Sequence, residues 1–371
     1  MKRIYIILAI IVGALACRQP YDPPVNSSNK TYLVVEANLN PQGATTISLT
    51  RTFGLDRNTT VRGELNAQVS VEGKDNTTRS MTSIGNGRYT SNNLNLIINN
   101  EYRLRIKTTD GKEFLSDYVK AKKTPVIDSI GWEKEQEGLR IYANTKDVTN
   151  ATRYYRWDFD ETWEIHSHFP SSYIYEPTTG RIRDRKFPQE DVSVCWKYGT
   201  SSTIVLANST RLADDIIYKA PVHFIENGSE KLAVRYSILL RQYALDREAY
   251  NFYELMKKNT EDIGNIFSPQ PSEIRGNIKC LTDSKEYVLG FVTASTVESR
   301  RQFITIPWFW FQDCLSVKVP DRPDSIRYFF GPGGAYMPYS FDNPPPYYYG
   351  SYYECVDCTK RGGSTARPPY W

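Results

Sequence analysis

The chain has 371 residues, of which 40% are hydrophobic and 24% are charged, an ordinary composition for a globular protein of two or three domains. Its formal net charge of +4 is too dilute over this length to indicate nucleic-acid binding, so no nucleic-acid partner is expected. Twenty-seven tyrosines and seven tryptophans against four methionines favour β-structure and aromatic surfaces over helical bundles.

The N-terminus has the features of a bacterial export signal. Lys2 and Arg3 precede an apolar run over residues 4–12, and small residues then lead to Cys17. The run is shorter than the roughly 20 residues that a membrane-spanning helix needs. Small residues directly before a cysteine are similar to a lipobox, which predicts a signal peptide over residues 1–16 and acylation of the cysteine. An ordinary signal peptide with an incidental cysteine is the alternative.

The next part of the chain is predicted to be a tether followed by a small β-domain. Residues 17–30 are rich in Pro, Asn and Ser, as in a flexible lipidated tether. Six short runs then alternate apolar and polar residues between turn sequences. These runs cover residues 31–39, 44–52, 67–73, 87–91, 101–109 and 113–121. The pattern predicts an N-terminal β-sandwich over residues 31–123, either Ig-like or transthyretin-like.

A larger β-rich domain is predicted over residues 124–371. Its longest alternating run covers residues 152–167, and the run over residues 326–330 is also assigned to a strand. One main helix is predicted over about residues 244–264, with Asp246 as its N-cap. The Tyr-, Pro- and Gly-rich C-terminal segment is predicted to be irregular and folded back. The fold class is therefore mainly β with one main helix.

The cysteines beyond Cys17 are candidates for disulfides, because export would place them in an oxidising compartment. They are Cys195, Cys280, Cys314, Cys355 and Cys358. Their odd number leaves at least one thiol unpaired within the chain, and the sequence does not choose among the pairings. We expect disulfides that staple the C-terminal segment to the second domain. A four-cysteine zinc site is the weaker alternative, because the chain has one C-x-x-C where a zinc ribbon has two.

The C-terminal segment also contains a candidate binding surface. Its tyrosines are Tyr336, Tyr339, Tyr347, Tyr348, Tyr349, Tyr352 and Tyr353. Aromatic faces contact sugar rings, peptide side chains and protein partners, and tyrosine supplies contact area at low entropic cost. The alternative is that these rings pack against each other in a long loop that needs its own side chains to fold.

Catalytic and metal sites are only weakly indicated. Asp158, Asp160 and Glu161 could serve as the paired acids of a hydrolase, but a solvated strand face has the same pattern. His166 and His168 could chelate a metal if a third ligand were near, but a polar strand end entering a loop is the preferred explanation. No cofactor is expected.

Several stretches together resemble the DUF4249 family. They are the CRQPYDP that follows the small residues, YYRWDFDETWE (154–164), PQPSEIRGNIKC (269–280), VLGFVTAS (288–295) and the terminal CVDCTKRGGSTARPPYW. The resemblance covers nearly the whole mature chain. It implies an outer-membrane lipoprotein of Bacteroidota with no catalytic motif. Such proteins are commonly encoded near TonB-dependent receptors, which implies a receptor of that class as a partner.

We therefore expect a non-enzymatic lipoprotein, anchored in the outer membrane by lipid, that is an accessory or ligand-capture partner of a TonB-dependent transporter. A stand-alone surface binding or adhesion protein is the alternative, and a carboxylate-dependent hydrolase ranks last. The ligand and the face of the membrane that the protein occupies stay open at this point.

Overall fold

The computed structural model describes residues 31–52, 62–261 and 274–371, and it is mainly β, as the sequence predicts. The predicted signal peptide, the tether and Cys17 lie outside the described residues. The described strands form several sheets around two main cores.

The first core lies in a β-sandwich of two sheets. One sheet contains β1 (Leu33–Leu39), β2 (Thr45–Arg51), β3 (Arg62–Gly63), β6 (Thr82–Gly85), β7 (Arg88–Ser91) and β21 (Val288–Ala294). The other contains β4 (Gln68–Gly73), β5 (Thr78–Ser80), β8 (Glu101–Lys107), β9 (Glu113–Ser116), β10 (Val119–Lys120) and β20 (Ile278–Cys280). Alternate side chains point into the core, as on β8, where Tyr102, Leu104 and Ile106 are all buried.

Two strands of this sandwich return from the second half of the chain. β21 pairs in parallel with β1, and β20 pairs antiparallel with β9. The sequence predicts both as strands of the C-terminal domain, because local alternation does not reveal which sheet a strand joins. β21 approaches β1 closely at Gly290. A Cβ placed on this residue would lie 2.0 Å from the Val35 carbonyl oxygen, so there is no room for a side chain. The φ of Gly290, +132°, is also one that residues with a side chain rarely adopt.

The second core lies between two further sheets. The first is three-stranded and contains β11 (Ile127–Lys134), β12 (Gly138–Asp147) and β18 (Asp215–Glu226). The second contains β13 (Tyr154–His166), β16 (Val194–Thr200), β17 (Val205–Asn208), β19 (Arg235–Leu245) and β22 (Val297–Ile304). The predicted alternation along β13 is confirmed, because Trp157 and Phe159 are buried in this core while Asp158 and Asp160 lie half-buried on the other face.

The C-terminal segment is regular, so the prediction of an irregular segment is wrong. It forms an antiparallel sheet of β23 (Val317–Pro320), β24 (Tyr336–Asp342) and β25 (Tyr347–Tyr352), beside a hairpin of β14 (Tyr173–Glu176) and β15 (Arg181–Asp184). The prolines that suggested a loop occupy positions that a sheet tolerates. Pro338 lies at a register shift between β24 and β25, and residues 343–346 form the turn between these strands.

The predicted main helix is present as α1 (Arg247–Glu261). Its N-cap is confirmed, since the Asp246 carboxylate accepts a hydrogen bond of 2.7 Å from the Ala249 backbone N–H. The helix packs Phe252 against Phe291 of β21, and so joins the sandwich to the second half of the chain.

The assignment of residues 326–330 to a strand is wrong, because they belong to α2 (Pro323–Phe330). A proline in the first turn suits a helix start, and Ile326 and Phe330, one turn apart, are buried together under the C-terminal sheet. A one-turn helix, α3 (Tyr353–Val356), and 3₁₀ turns at Glu230–Leu232 and Cys358–Arg361 complete the helical structure of the described residues. In that part of the chain, no helix has the length and apolarity needed to cross a membrane.

Candidate functional site

Two disulfides hold the C-terminal segment, as the sequence analysis expected. Cys195 on β16 is bonded to Cys358, and Cys314 is bonded to Cys355. The two cysteines of the C-x-x-C therefore bond to different partners and do not form a redox pair with each other. Among the described cysteines, Cys280 on β20 has a free and buried thiol.

The glycines after the C-x-x-C let the chain pass close over one of these disulfides. A Cβ built on Gly363 would lie 2.5 Å from Cβ of Cys195, which is closer than real side chains approach. The chain continues past the disulfide, and Ser364 makes two backbone hydrogen bonds with Trp196 of β16. The Trp371 indole N–H then donates to the Glu164 carboxylate over 2.7 Å. The end of the chain is thus a strap across the five-stranded sheet.

Phe309, the most exposed aromatic side chain of the described residues, lies between β22 and β23, in residues 305–316, which we call the aromatic segment. It has neither helix nor strand structure. Along it, exposure alternates: Phe309 is 81% exposed and Phe311 is 70% exposed, while Trp308 and Trp310 are half-buried. None of the predicted sites includes this segment, although the run WFWF is a signal for it in the sequence.

The aromatic segment is held in place at several points. The Trp308 indole N–H donates to the Ser229 carbonyl oxygen over 3.1 Å. The Gln312 side-chain amide donates to the Glu354 carbonyl oxygen over 3.1 Å. The Cys314–Cys355 disulfide fixes the same stretch covalently. The exposed rings are therefore presented on a backbone that needs little further ordering.

A cleft of about 220 Å³ opens beside the aromatic segment, and we call it the tryptophan cleft. Its walls include Ile165, His166, His168, Glu230, Trp308 and Trp310. The Arg361 guanidinium lies behind the cleft, 5.1 Å from the ring centroid of Trp310. It donates to the carbonyl oxygen of His166 over 2.6 Å and to the side-chain oxygen of Gln312 over 2.9 Å. Arg361 thus positions two parts of the wall at once.

The charged groups around the tryptophan cleft are paired with each other. Glu230 makes an ion pair with Lys197, and its other carboxylate oxygen lies 3.7 Å from Arg361. Burial lowers the pKa of Arg361, and the Glu230 charge opposes that change. The Glu230 carboxylate of the cleft wall is therefore balanced by cations that lie outside the wall.

The two histidines considered as metal ligands both line this cleft. Nε2 of His166 lies 2.6 Å from the Glu164 carboxylate, and the His168 ring makes an edge contact with Phe169 at 4.6 Å between centroids. Across residues 31–52, 62–261 and 274–371, no three His, Cys, Asp or Glu side chains are grouped to hold a metal ion.

The seven candidate tyrosines lie on or directly after the C-terminal sheet, and their environments differ. Tyr352 is 38% exposed and the other six are half-buried. Tyr348 packs against Tyr173 and Phe341, with ring centroids 5.7 and 4.7 Å apart. Tyr336 packs against Phe329 of α2 at 6.1 Å. These rings fill a small core, as the packing alternative predicts.

Two other tyrosines extend the aromatic wall of the tryptophan cleft. Tyr339 stacks on Phe169 with centroids 4.4 Å apart and planes 9° apart, and Tyr349 lies 6.1 Å beyond it. Since His168 contacts Phe169 and also lines the cleft, His168, Phe169, Tyr339 and Tyr349 form one continuous set. We call these four residues the aromatic row.

The candidate acids on the outer face of β13 are bridged by one arginine. Nε of Arg241 donates to Asp158 and Nη1 donates to Asp160, each over 2.5 Å. Hydrogen bonds with Asp160 and the charge of Asp158 raise the pKa of Arg241. The two carboxylates thus form a salt-bridged strand face, as the structural alternative predicts.

Glu161 lies on the opposite, buried face of β13 and is only 6% exposed. Its carboxylate accepts hydrogen bonds from Lys231 (2.5 Å) and Tyr236 (3.0 Å), and Nε2 of His223 lies 3.4 Å away. Burial alone would raise the pKa of Glu161, but His223 and Lys231 lower it to about 2. A general acid needs a raised pKa, so this environment suits a permanently ionised, structural carboxylate.

A larger cleft of about 580 Å³ lies on the β-sandwich and has mostly charged walls. Arg51 pairs with Glu64 at 2.6 Å, and Lys112 pairs with Glu286 at 2.9 Å. The Glu286 charge raises the pKa of Lys112. Tyr32 is the aromatic residue of this wall, so the cleft lacks the paired indoles that mark the smaller one.

The aromatic segment and both disulfide-bonded cysteines of the C-x-x-C lie C-terminal to the region by which the chain can be classified. No curated protein matches the sequence. The sequence model of DUF4249, described as a domain of unknown function, matches residues 18–301. This range includes most strands of the sandwich and of the second core, and it covers well over half of the chain. The protein therefore belongs to the DUF4249 family, as the resemblance indicated.

Proposed function

We propose that the protein is a non-enzymatic, lipid-anchored protein of the outer membrane that captures a ligand as the accessory partner of a TonB-dependent transporter. The observation that carries this proposal is the aromatic segment. Phe309 and Phe311 are exposed on a backbone fixed by a disulfide and by hydrogen bonds. Exposed aromatic side chains are typical of binding hot spots. A backbone that is ordered in advance lowers the entropic cost of association.

The ion-paired carboxylates of β13 support the non-enzymatic part of the proposal. Arg241 bridges Asp158 and Asp160, while Glu161 is held ionised by Lys231. Neither arrangement supplies the proton-donating acid that glycoside hydrolysis needs. The hydrolase alternative therefore ranks below both binding functions.

A stand-alone surface binding or adhesion protein is the second candidate, because the same exposed rings would serve any partner. The two candidates differ in one observable, which is whether a receptor of the TonB-dependent class stays bound when the membrane is dissolved. The lipid anchor is common to both.

The lipid anchor is tested by Cys17→Ser. We expect this variant to move from the membrane fraction to the soluble fraction, because it cannot carry the acyl chains whose burial contributes about 0.8 kcal/mol per CH₂. The measurement is cell fractionation with immunodetection, together with the intact mass of the membrane-bound form. Cys280→Ser is the matched control and should stay in the membrane. Retention of Cys17→Ser in the membrane would contradict the anchor.

The transporter partnership is tested by affinity purification from detergent-solubilised outer membranes. We expect a TonB-dependent receptor, identified by mass spectrometry, to co-purify with the unaltered protein. The double variant Phe309→Ala, Phe311→Ala should recover at least about tenfold less receptor, because loss of one hot-spot aromatic costs about 1–2 kcal/mol or more.

The matched control for this experiment is Tyr218→Ala, since Tyr218 is 74% exposed on β18, in a different sheet. Its receptor recovery should equal that of the unaltered protein. Consistent absence of a receptor from the unaltered sample would exclude the accessory role and favour the stand-alone one. Equal losses in both variants would show that the aromatic segment is not the contact surface.

A further inference from the structure

We propose that the tryptophan cleft and the aromatic row together bind a neutral oligosaccharide, with one pyranose ring in the cleft and the following units along the row. The inference rests on the ligand-capture role proposed above and names the class of ligand. It uses the inward face of the aromatic segment, whereas the transporter contact uses the outward face.

The size of the cleft limits what it holds. Ligand pockets for drug-sized molecules enclose about 300–1,000 Å³. The tryptophan cleft encloses about 220 Å³ and therefore accommodates one ring-sized group. A larger ligand would have to continue outside the cleft.

The chemistry of the walls matches a sugar ring, which has apolar C–H faces and a rim of hydroxyl groups. Trp308 and Trp310 supply flat apolar surface. The Glu230 carboxylate has acceptor capacity beyond its ion pairs, because a carboxylate offers about four lone-pair sites. The ring nitrogens of His168 have no hydrogen-bond partner in the part of the chain that the structure describes, and His168 is exposed. Aromatic surface and hydrogen-bonding groups thus face the same small space.

The charges around the cleft favour a neutral ligand over a cation. Both indoles already have a cation nearby, since Nζ of Lys134 lies 5.7 Å from the Trp308 ring centroid and Arg361 lies 5.1 Å from that of Trp310. A cationic ligand would meet these side chains. An anionic ligand would lie beside the Glu230 carboxylate, which belongs to the cleft wall itself, whereas Lys197 and Arg361 do not line it.

The aromatic row gives the ligand a path out of the cleft. His168 belongs to both features, and Phe169, Tyr339 and Tyr349 follow it with centroid separations of 4.6, 4.4 and 6.1 Å. Nζ of Lys318 lies 5.4 Å from the Tyr349 ring centroid, at the far end of the row. Partly exposed aromatic rings in a continuous row suit a chain of repeating units, so an oligomer should bind more tightly than its monomer.

The test is saturation-transfer difference NMR on the full mature lipoprotein in detergent. The neutral probes are glucose, mannose, galactose and N-acetylglucosamine, with maltotetraose, cellotetraose, mannotetraose and chitotetraose as oligomers. Tetramethylammonium and acetate are the charged probes. We expect at least one oligomer to bind, at least tenfold more tightly than its monomer and than either charged probe.

Variants locate the binding. Trp310→Ala should weaken oligomer binding at least tenfold, and Tyr339→Ala should weaken the oligomer more than the monomer. Tyr218→Ala is the matched control, because it removes an exposed aromatic ring from a different sheet, and it should leave binding unchanged. If Trp310→Ala fails to fold by circular dichroism, Trp310→Phe and His168→Ala replace it, with the same expected direction of change.

The proposal is overturned if no neutral probe binds the folded protein, if a charged probe binds more tightly, or if the cleft variants bind as the unaltered protein does. Failure here is distinguishable from failure of the transporter role. Receptor recovery without sugar binding overturns the sugar proposal alone, and sugar binding without receptor recovery overturns the accessory role alone.

Discussion

Replacement of Cys195 and Cys358 by serine is expected to lower the free energy of unfolding by about 4–5 kcal/mol, because the lost bond closes a very long loop. The two cysteines are 163 residues apart in the chain. Both are fully buried beside Ile165, so the serine replacements would also bury hydroxyl groups in an apolar environment, which is unfavourable. The measurement is denaturant unfolding, with intact mass under non-reducing conditions to count the remaining disulfide.

The second disulfide supplies the matched comparison. Cys314 and Cys355 are 41 residues apart, so the same loop-closure account predicts a smaller loss of about 3–4 kcal/mol for their replacement by serine. The order of the two losses is the sharper prediction. A larger loss for the shorter loop would contradict the loop-closure explanation.

Loss of each disulfide should also impair a different one of the two proposed binding functions. Cys314 lies within the aromatic segment, whereas Cys358 begins the 3₁₀ turn that contains Arg361. Loss of the shorter-loop disulfide should therefore free the exposed phenylalanines and reduce receptor recovery. Loss of the longer-loop disulfide should move Arg361 away from Trp310 and reduce sugar binding. Each of the two disulfides thus holds one face of the aromatic segment in place.

Much of the fold follows from local pattern in the sequence. The alternation of Trp157 and Phe159 with Asp158 and Asp160 predicted β13 and its buried face, and the capping residue Asp246 predicted the start of α1. These features depend on residues close together in the chain. Periodicity and capping chemistry are therefore sufficient to predict them.

Other parts of the fold depend on contacts that local pattern does not contain. The run over residues 288–294 was recognised as a strand, but its parallel partner is β1, more than half the chain away. Residues 326–330 are mostly aromatic or β-branched, yet they are helical because Pro323 starts a turn and the C-terminal sheet buries one side of it. Tertiary burial overrode local propensity there.

The candidate site also combines features that local sequence predicts with features that depend on tertiary contacts. The sequence predicted disulfides but not the partners of Cys355 and Cys358, because pairing depends on how the chain folds back. The tryptophan cleft combines the end of β13, the turn after β18 and the aromatic segment, so no single stretch of sequence contains it. Of the candidate tyrosines, Tyr336 and Tyr348 pack against a small core, whereas Tyr339 and Tyr349 extend the cleft wall.

The basic residues after the C-x-x-C connect these observations. Arg361 lies in the 3₁₀ turn that begins at the disulfide-bonded Cys358, and its guanidinium contacts the Trp310 ring. It also donates hydrogen bonds to Gln312 and His166. In the proposed binding site, the motif therefore acts through the arginine that its disulfide holds in place, and its sulfurs make no direct contact with the cleft.

Folding lowers the pKa of the buried Glu161 carboxylate, and we expect this shift to make the stability of the second core sensitive to acid. The pKa of Glu161 is about 2 in the folded protein against an ordinary value of 4.5. Because the folded pKa is the lower one, the stabilisation is complete well above pH 4.5 and is lost as the pH falls toward about 2. The difference corresponds to about 3 kcal/mol of unfolding free energy.

Glu161→Gln should therefore lower the unfolding free energy at pH 7 by about 3 kcal/mol, since it also leaves Lys231 without its buried counter-charge. The variant should lose less stability than the unaltered protein between pH 5 and about pH 2, because it has no proton to take up at this position. Denaturant unfolding at a series of pH values measures both effects. Asp160→Asn is the matched control on the other face of β13, where a 42% exposed side chain should change stability by only about 1 kcal/mol or less. Equal acid sensitivity of Glu161→Gln and the unaltered protein would show that other carboxylates govern the acid limb, and that folding does not lower the pKa of Glu161.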